Sequence, residues 1–73
     1  MQKSDLKKLV GQRIVTTRLS KGWTQSDLAR ACNKDRQAIE KLEKGKVNAT
    51  IFTLYEISAA LEISLSELLI FKL

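Results

Sequence analysis

A single cysteine, Cys32, and no histidine occur among 73 residues, and this scarcity constrains the fold more than any other feature. A domain this small buries only about 60% of the surface its unfolded chain exposes, so small domains commonly rely on disulfides or a structural metal. One cysteine cannot close an internal disulfide. Without histidine, a zinc site also lacks most of its usual ligands. Cohesion must come from packed secondary structure or from a second subunit, and no metal or cofactor is expected. Cys32, between Ala31 and Asn33, is expected to be a small buried residue and not a nucleophile.

Proline is absent as well, and abundant Leu, Lys, Glu, Gln and Ala suit helices. Apolar residues at three- and four-residue steps agree. Leu6, Val10, Ile14 and Thr17 mark a first helix over 4–20, which Gly22 can end in the left-handed region. Thr24 reads as the cap of a second helix over 25–32, with Asp27 as the capping-box acid and Trp23 stapled to Leu28. Asn33 is its stop. Asp35 is the expected cap of a third helix over 36–44, with Ile39 and Leu42 inward and Gly45 as terminator. Thr50 caps a fourth carrying Ile51, Leu54, Ile57 and Leu61, and Ser64 with Glu67 opens a fifth carrying Leu65, Leu68 and Leu69. The expected fold is all-α, a compact five-helix bundle forming one domain over 1–73.

With 44% apolar and 29% charged residues, the chain has the balance of a folded domain and not of a disordered one. No apolar run approaches the roughly 20 residues that span a bilayer, and no signal-peptide pattern opens the chain. No membrane association is expected, and a reducing cytoplasm is the expected setting.

The net charge of +5 is unevenly placed. Residues 1–46 carry twelve of the thirteen basic side chains and five of the eight acids, a local +7; residues 47–73 carry Lys72 against Glu56, Glu62 and Glu67, a local −2. A basic front and an acidic back suit a face that meets a polyanion, although a basic protein without such a partner has the same composition. Enzyme chemistry has little to build on: there is no histidine base, no glycine-rich phosphate loop and no carboxylate cluster.

Two short helices joined by about four residues, in the basic half, form the outline of a helix-turn-helix. Its requirements can be met residue by residue. Ala29 is small where the helices cross, Asn33 tolerates positive φ in the turn, and Ile39 with Leu42 anchors the second helix. The opposite side of that helix carries Arg36, Gln37, Glu40, Lys41 and Lys44, long enough to reach base edges.

The stretches Thr24-Gln25-Ser26-Asp27-Leu28-Ala29 and Ile39-Glu40-Lys41-Leu42-Glu43-Lys44-Gly45-Lys46 resemble the phage-repressor, Cro-like helix-turn-helix family of XRE-type transcriptional regulators. The likeness runs on through Leu54, Ile57, Ala60-Leu61 and Ile63-Ser64-Leu65 to Glu67-Leu68-Leu69 and covers about residues 10–69. It implies a lambda-repressor-like fold and a sequence-specific regulator that reads the major groove of a palindromic operator as a homodimer.

Carried over position by position, the resemblance puts Arg36, Gln37 and Lys41 at base edges, where Arg or Lys donates to guanine and Gln pairs with adenine. Glu40 has two uses open to it, accepting from a cytosine amino group or pairing with Arg36. Gln25, at a helix N-terminus, matches a phosphate-binding position, as do Lys44 and Lys46. Arg18 and Glu43 match a structural pair joining the first helix to the end of the reading helix.

Three residues depart from the pattern. Lys34 replaces an apolar turn residue and is free to reach a phosphate. Glu62 replaces a glycine after the fourth helix, and Thr17 replaces a large apolar residue. Ile70, Phe71 and Leu73 exceed what one small core can bury and are the dimer-interface candidates. A headpiece without further modules is expected, which suits a small repressor or a restriction–modification controller. The alternative is an antitoxin-like or adaptor protein that works through a protein partner. An RNA-binding use is disfavoured because the basic face lacks aromatic residues for base stacking.

Overall fold

The computed structural model describes residues 2–71 and contains five helices: α1 Lys3–Ser20, α2 Gln25–Ala31, α3 Arg36–Glu43, α4 Ile51–Ala60 and α5 Leu65–Leu68. Each boundary has a local cause. α1 opens one residue before the expected position, because the Asp5 carboxylate accepts from the Gln2 backbone N–H at 3.2 Å. At α2 the capping box closes in both directions: Thr24 Oγ1 accepts from the Asp27 N–H at 3.1 Å, and Asp27 Oδ2 accepts from the Thr24 N–H at 2.8 Å. Ser64 and Glu67 close the same box at α5, while Thr50 caps α4 in one direction, accepting from the Thr53 N–H.

Asp35 is the exception. It holds the cap position of α3 through its backbone carbonyl, which accepts from Ala38 and Ile39, and its side chain makes no capping bond. The expected side-chain cap is therefore absent, and α3 opens on the backbone bonds common to every helix start.

Among the described residues, four turn the chain in the left-handed region: Gly22, Asn33, Gly45 and Glu62. Asn33 and Glu62 do so with a β-carbon in place, which costs about 1–2 kcal/mol. At Asn33 the turn is closed by the Lys34 N–H donating to the Ala29 carbonyl at 2.8 Å, and at Glu62 by the Ile63 N–H donating to Ser58 at 3.0 Å. Glu62 is further held by Lys21, whose Nζ lies 2.8 Å from its carboxylate and 4.9 Å from the Trp23 ring centre.

The core gathers Ile14 from α1, Leu28, Ala29 and Cys32 from α2 and its end, Ile39 and Leu42 from α3, Leu54, Ile57 and Leu61 from α4 and its end, and Leu68 from α5. Trp23 packs against it as the staple requires. The Cys32 thiol donates to the Leu28 carbonyl, and burial raises its pKa, so it stays a protonated thiol inside the core. Thr17, where bulk was expected to be missing, turns its hydroxyl to the Arg13 carbonyl at 2.8 Å.

Two apolar expectations are corrected. Leu6 and Ile51 stay exposed, at 45% and 67%, because each lies in the opening turn of its helix, beyond the reach of the core. α5 is a single turn, and Leu69 and Ile70 lie past its end.

Candidate nucleic-acid interface

The turn between α2 and α3 sets the attitude of α3, and two devices lock that helix from behind. The first is a close crossing with α1 at Gly11. A β-carbon there would lie 2.6 Å from the Leu42 carbonyl oxygen and closer still to that of Glu43, so only glycine fits. The second is the pair expected to join α1 to the end of α3. Arg18 Nε donates to Glu43 Oε2 at 2.7 Å and its Nη2 to Oε1 at 3.0 Å, while its Nη1 reaches the Trp23 carbonyl at 2.8 Å. Both residues are buried. A forked, two-point pair fixes orientation better than it adds net stability, since both charges have left water.

Gln25 extends this network outward. Its Nε2 donates to Glu43 Oε1 at 2.9 Å, and its Oε1 accepts from Arg36 Nη1 at 3.2 Å. Expected at a phosphate, Gln25 has both ends of its amide engaged and links the buried pair to the first residue of α3.

The outward face of α3 brings together Arg36, Gln37, Glu40, Lys41 and, at its cap, Lys44. Arg36, Gln37, Lys41 and Lys44 are exposed and Glu40 is half-buried. Glu40 takes Arg36 Nη1 on Oε2 at 3.1 Å and Lys44 Nζ on Oε1 at 3.4 Å. These two donors hold its carboxyl below the usual carboxylate range, so it is charged near neutrality. Lys46 follows Gly45 and is exposed, and neither it nor Lys41 pairs with an acid among the described residues.

Lys34 lines a shallow groove beside this face. Its ammonium sits 2.9 Å from the Glu56 carboxylate and only 22% of the side chain is exposed. The cation expected to be free is thus paired in the unbound protein, with Glu56, the one acid of α4. Gln37 and Lys41 share that groove with Lys34 and with Asn48 and Thr50 of the α3–α4 connection. Sequence reasoning passed over Asn48 and Gly11. An unexplained glycine inside a helix was the available signal for Gly11; Asn48 had none.

Of the interface candidates, Ile70 is 61% exposed, Phe71 is half-buried, and Leu73 lies outside the described residues. A further apolar surface stands on α4, where Ile51, Phe52 and Tyr55 are all exposed and the two rings lie 6.5 Å apart. Ile51 and Phe71 line one apolar groove together with Leu6, Val10 and Val47.

Residues 14–68, from the core of α1 to the end of α5, match the Helix-turn-helix family HTH_3. The chain belongs to this family, of the Cro/C1 type. It is 39% identical over 64 residues to an uncharacterised HTH-type transcriptional regulator, y4dJ, of Sinorhizobium fredii, covering 88% of this chain and 83% of that protein. The structure of a hypothetical transcription factor from Neisseria superposes with a TM-score of 0.87 at 28% identity, covering 96% of this chain and 80% of that one. In the sequence comparison, this helix-turn-helix chain spans 62% of the Neisseria meningitidis factor's length. The restriction–modification controller protein C.AhdI from Aeromonas hydrophila superposes at 0.83 with 31% identity, covering 85% of this chain and 94% of that one. With this family and these relatives, the protein is a DNA-binding transcriptional regulator.

Proposed function

We propose that this regulator binds a specific double-stranded operator as a homodimer in the cytoplasm, without enzymatic activity, with α3 of each copy in the major groove. The observation that carries the reading is the two-sidedness of α3. Behind, it is locked by Gly11 and by the buried Arg18–Glu43 pair; in front, it offers Arg36, Gln37, Glu40 and Lys41. A rigid back with a long-reaching polar front is what base readout requires. Lys44 and Lys46 at the end of the helix supply the backbone contacts, while Gln25 holds Arg36 in place.

Dimer formation is supported by the exposed Ile51, Phe52 and Tyr55, with Ile70 a further candidate. A single headpiece contacts too few bases to pick one site, and two-fold dimers answer this by reading half-sites about one helical turn apart. Likeness to a controller protein favours a small repressor or controller role. No helix of the described residues is long and apolar enough to cross a membrane.

Selection from a random duplex library tests the reading. The expected product is a two-fold symmetric sequence with half-sites about 10 base pairs apart. Failure to enrich any sequence over the starting pool would remove the operator-specific function.

A further inference from the structure

Glu40 is the one acid on the outward face of α3. Asp35 stands at the cap before the helix, and Glu43 is buried against Arg18. Its carboxylate lies between two cations one turn away on either side, taking Arg36 on one oxygen and Lys44 on the other. Arg36 and Lys44 are about half exposed and are the two side chains that α3 would offer to a guanine edge and a phosphate. In the unbound protein they are held by the same group.

We propose that Glu40 is the specificity-determining residue of the reading helix: it holds Arg36 and Lys44 while the face is empty, and releases them without penalty only where a base edge donates an amino hydrogen to its carboxylate. The inference rests on the reading of α3 as the DNA-contacting helix.

The physical reason is an asymmetry between random and cognate DNA. On random DNA the face meets phosphate oxygens and base edges that offer the carboxylate no donor. Arg36 and Lys44 must then leave Glu40 for the phosphates, and the bare carboxylate stays beside a polyanion. On a cognate site a cytosine N4 or adenine N6 amino group in the major groove replaces the donors that Glu40 gives up. Arg36 is then free to make a two-point contact with guanine, and Lys44 to take a phosphate. One carboxylate thereby opposes every wrong sequence while costing the right one little, a repulsive element built into the binding face.

The test is the isosteric variant Glu40→Gln, which keeps shape and removes charge at a half-buried position. Binding is measured as a function of salt on two probes, a mixed random-sequence duplex and the duplex that the unaltered protein enriches from a random library. Removing one repulsive charge acts like one more neutralised phosphate. On random duplex, Glu40→Gln should therefore bind about fivefold tighter at 0.15 M salt, with a log K against log salt slope steeper by about 0.9. On the enriched duplex the gain should be smaller, so the selectivity ratio falls.

An unchanged affinity for random duplex, or an equal gain on both probes, overturns the proposal. Arg36→Ala separates this failure from a deeper one. If Arg36→Ala weakens binding to the enriched duplex while Glu40→Gln changes nothing, only the role of Glu40 is lost. If Arg36→Ala leaves binding to both probes unchanged, α3 is not the reading helix and the inference falls with that assignment.

Discussion

Gln37 and Gly11 show how differently single residues matter on the two sides of α3. Gln37 is exposed, with Ile39 turned into the core beyond it. Its amide can pair with an adenine edge, which contributes on one sequence and not on others. Gln37→Ala should cost about 1–3 kcal/mol on the selected operator and close to nothing on unrelated duplex, with an unchanged salt slope. Equal losses on both duplexes, measured by titration, would make Gln37 a backbone contact. Gly11 acts from behind. Exchanging a helical glycine for alanine usually stabilises by about 0.5–1 kcal/mol, but here the new methyl meets the Leu42 and Glu43 carbonyls. Backbone cannot rotate aside as a side chain can. Gly11→Ala should lower stability by about 1–3 kcal/mol, a drop in melting temperature of roughly 4–8 °C per kcal/mol for a domain this size. A raised melting temperature would mean that α1 and α3 can separate freely.

At the scale of elements, α2 depends on its first turn because seven residues are too few to persist alone. The Asp27 carboxyl is held below its ordinary value of 3.8, first by the Thr24 N–H and hydroxyl, with Arg30 adding to the effect. A carboxyl whose folded pKa is depressed contributes stability above its unfolded pKa and loses it as pH falls through the folded one. Glu40, with Arg36 and Lys44, and Glu62, with Lys21, are shifted the same way. The melting temperature should therefore stay level from pH 7 to about 5 and fall below about 4. In Asp27→Asn it should start lower at pH 7 and fall less steeply toward pH 3. Parallel curves for the two proteins in a calorimetric pH series would show that the cap carboxylate does not couple folding to pH.

Charge and assembly belong to the whole molecule. Each phosphate neutralised changes the slope of log K against log salt by about 0.9, and Lys46 has no acidic partner among the described residues to offset it. Lys46→Ala should weaken binding to all duplexes alike and flatten the slope by about one unit. A slope unchanged when Lys44 and Lys46 are both removed would place the phosphate surface elsewhere. For assembly, two apolar surfaces compete, one on α4 and one at the end of the chain. Exposed rings such as Phe52 and Tyr55 are the kind of anchor that carries interface energy. Replacing both by serine should shift sedimentation toward monomer. If that variant stays dimeric while deletion of residues 70–73 gives monomer, the C-terminal end forms the contact.

Much of this protein is determined within four or five residues of each position. Caps at Thr24, Thr50 and Ser64, left-handed turns at Gly22, Asn33 and Gly45, and the inward pair Ile39 and Leu42 all follow from local hydrogen bonding and helical period. Each could be placed from the sequence alone, and with them the order of helices and the outward face of α3. The partnership of Arg18 and Glu43, 25 residues apart, came from family resemblance and not from any local pattern.

Tertiary structure decided the rest, because it turns on which distant residues meet. Lys34 meets Glu56, 22 positions on, and so is not a free cation in the unbound protein. Gln25 meets Glu43, 18 positions on, and becomes a link between core and face. Ile51 keeps the apolar period of α4 yet lies exposed in its first turn, since periodicity states which side of a helix is apolar but not where along it the neighbouring helices end. Gly11 is only a weak helix former until α3 crosses over it. The packing of α3 against α1 makes that glycine a requirement of the site.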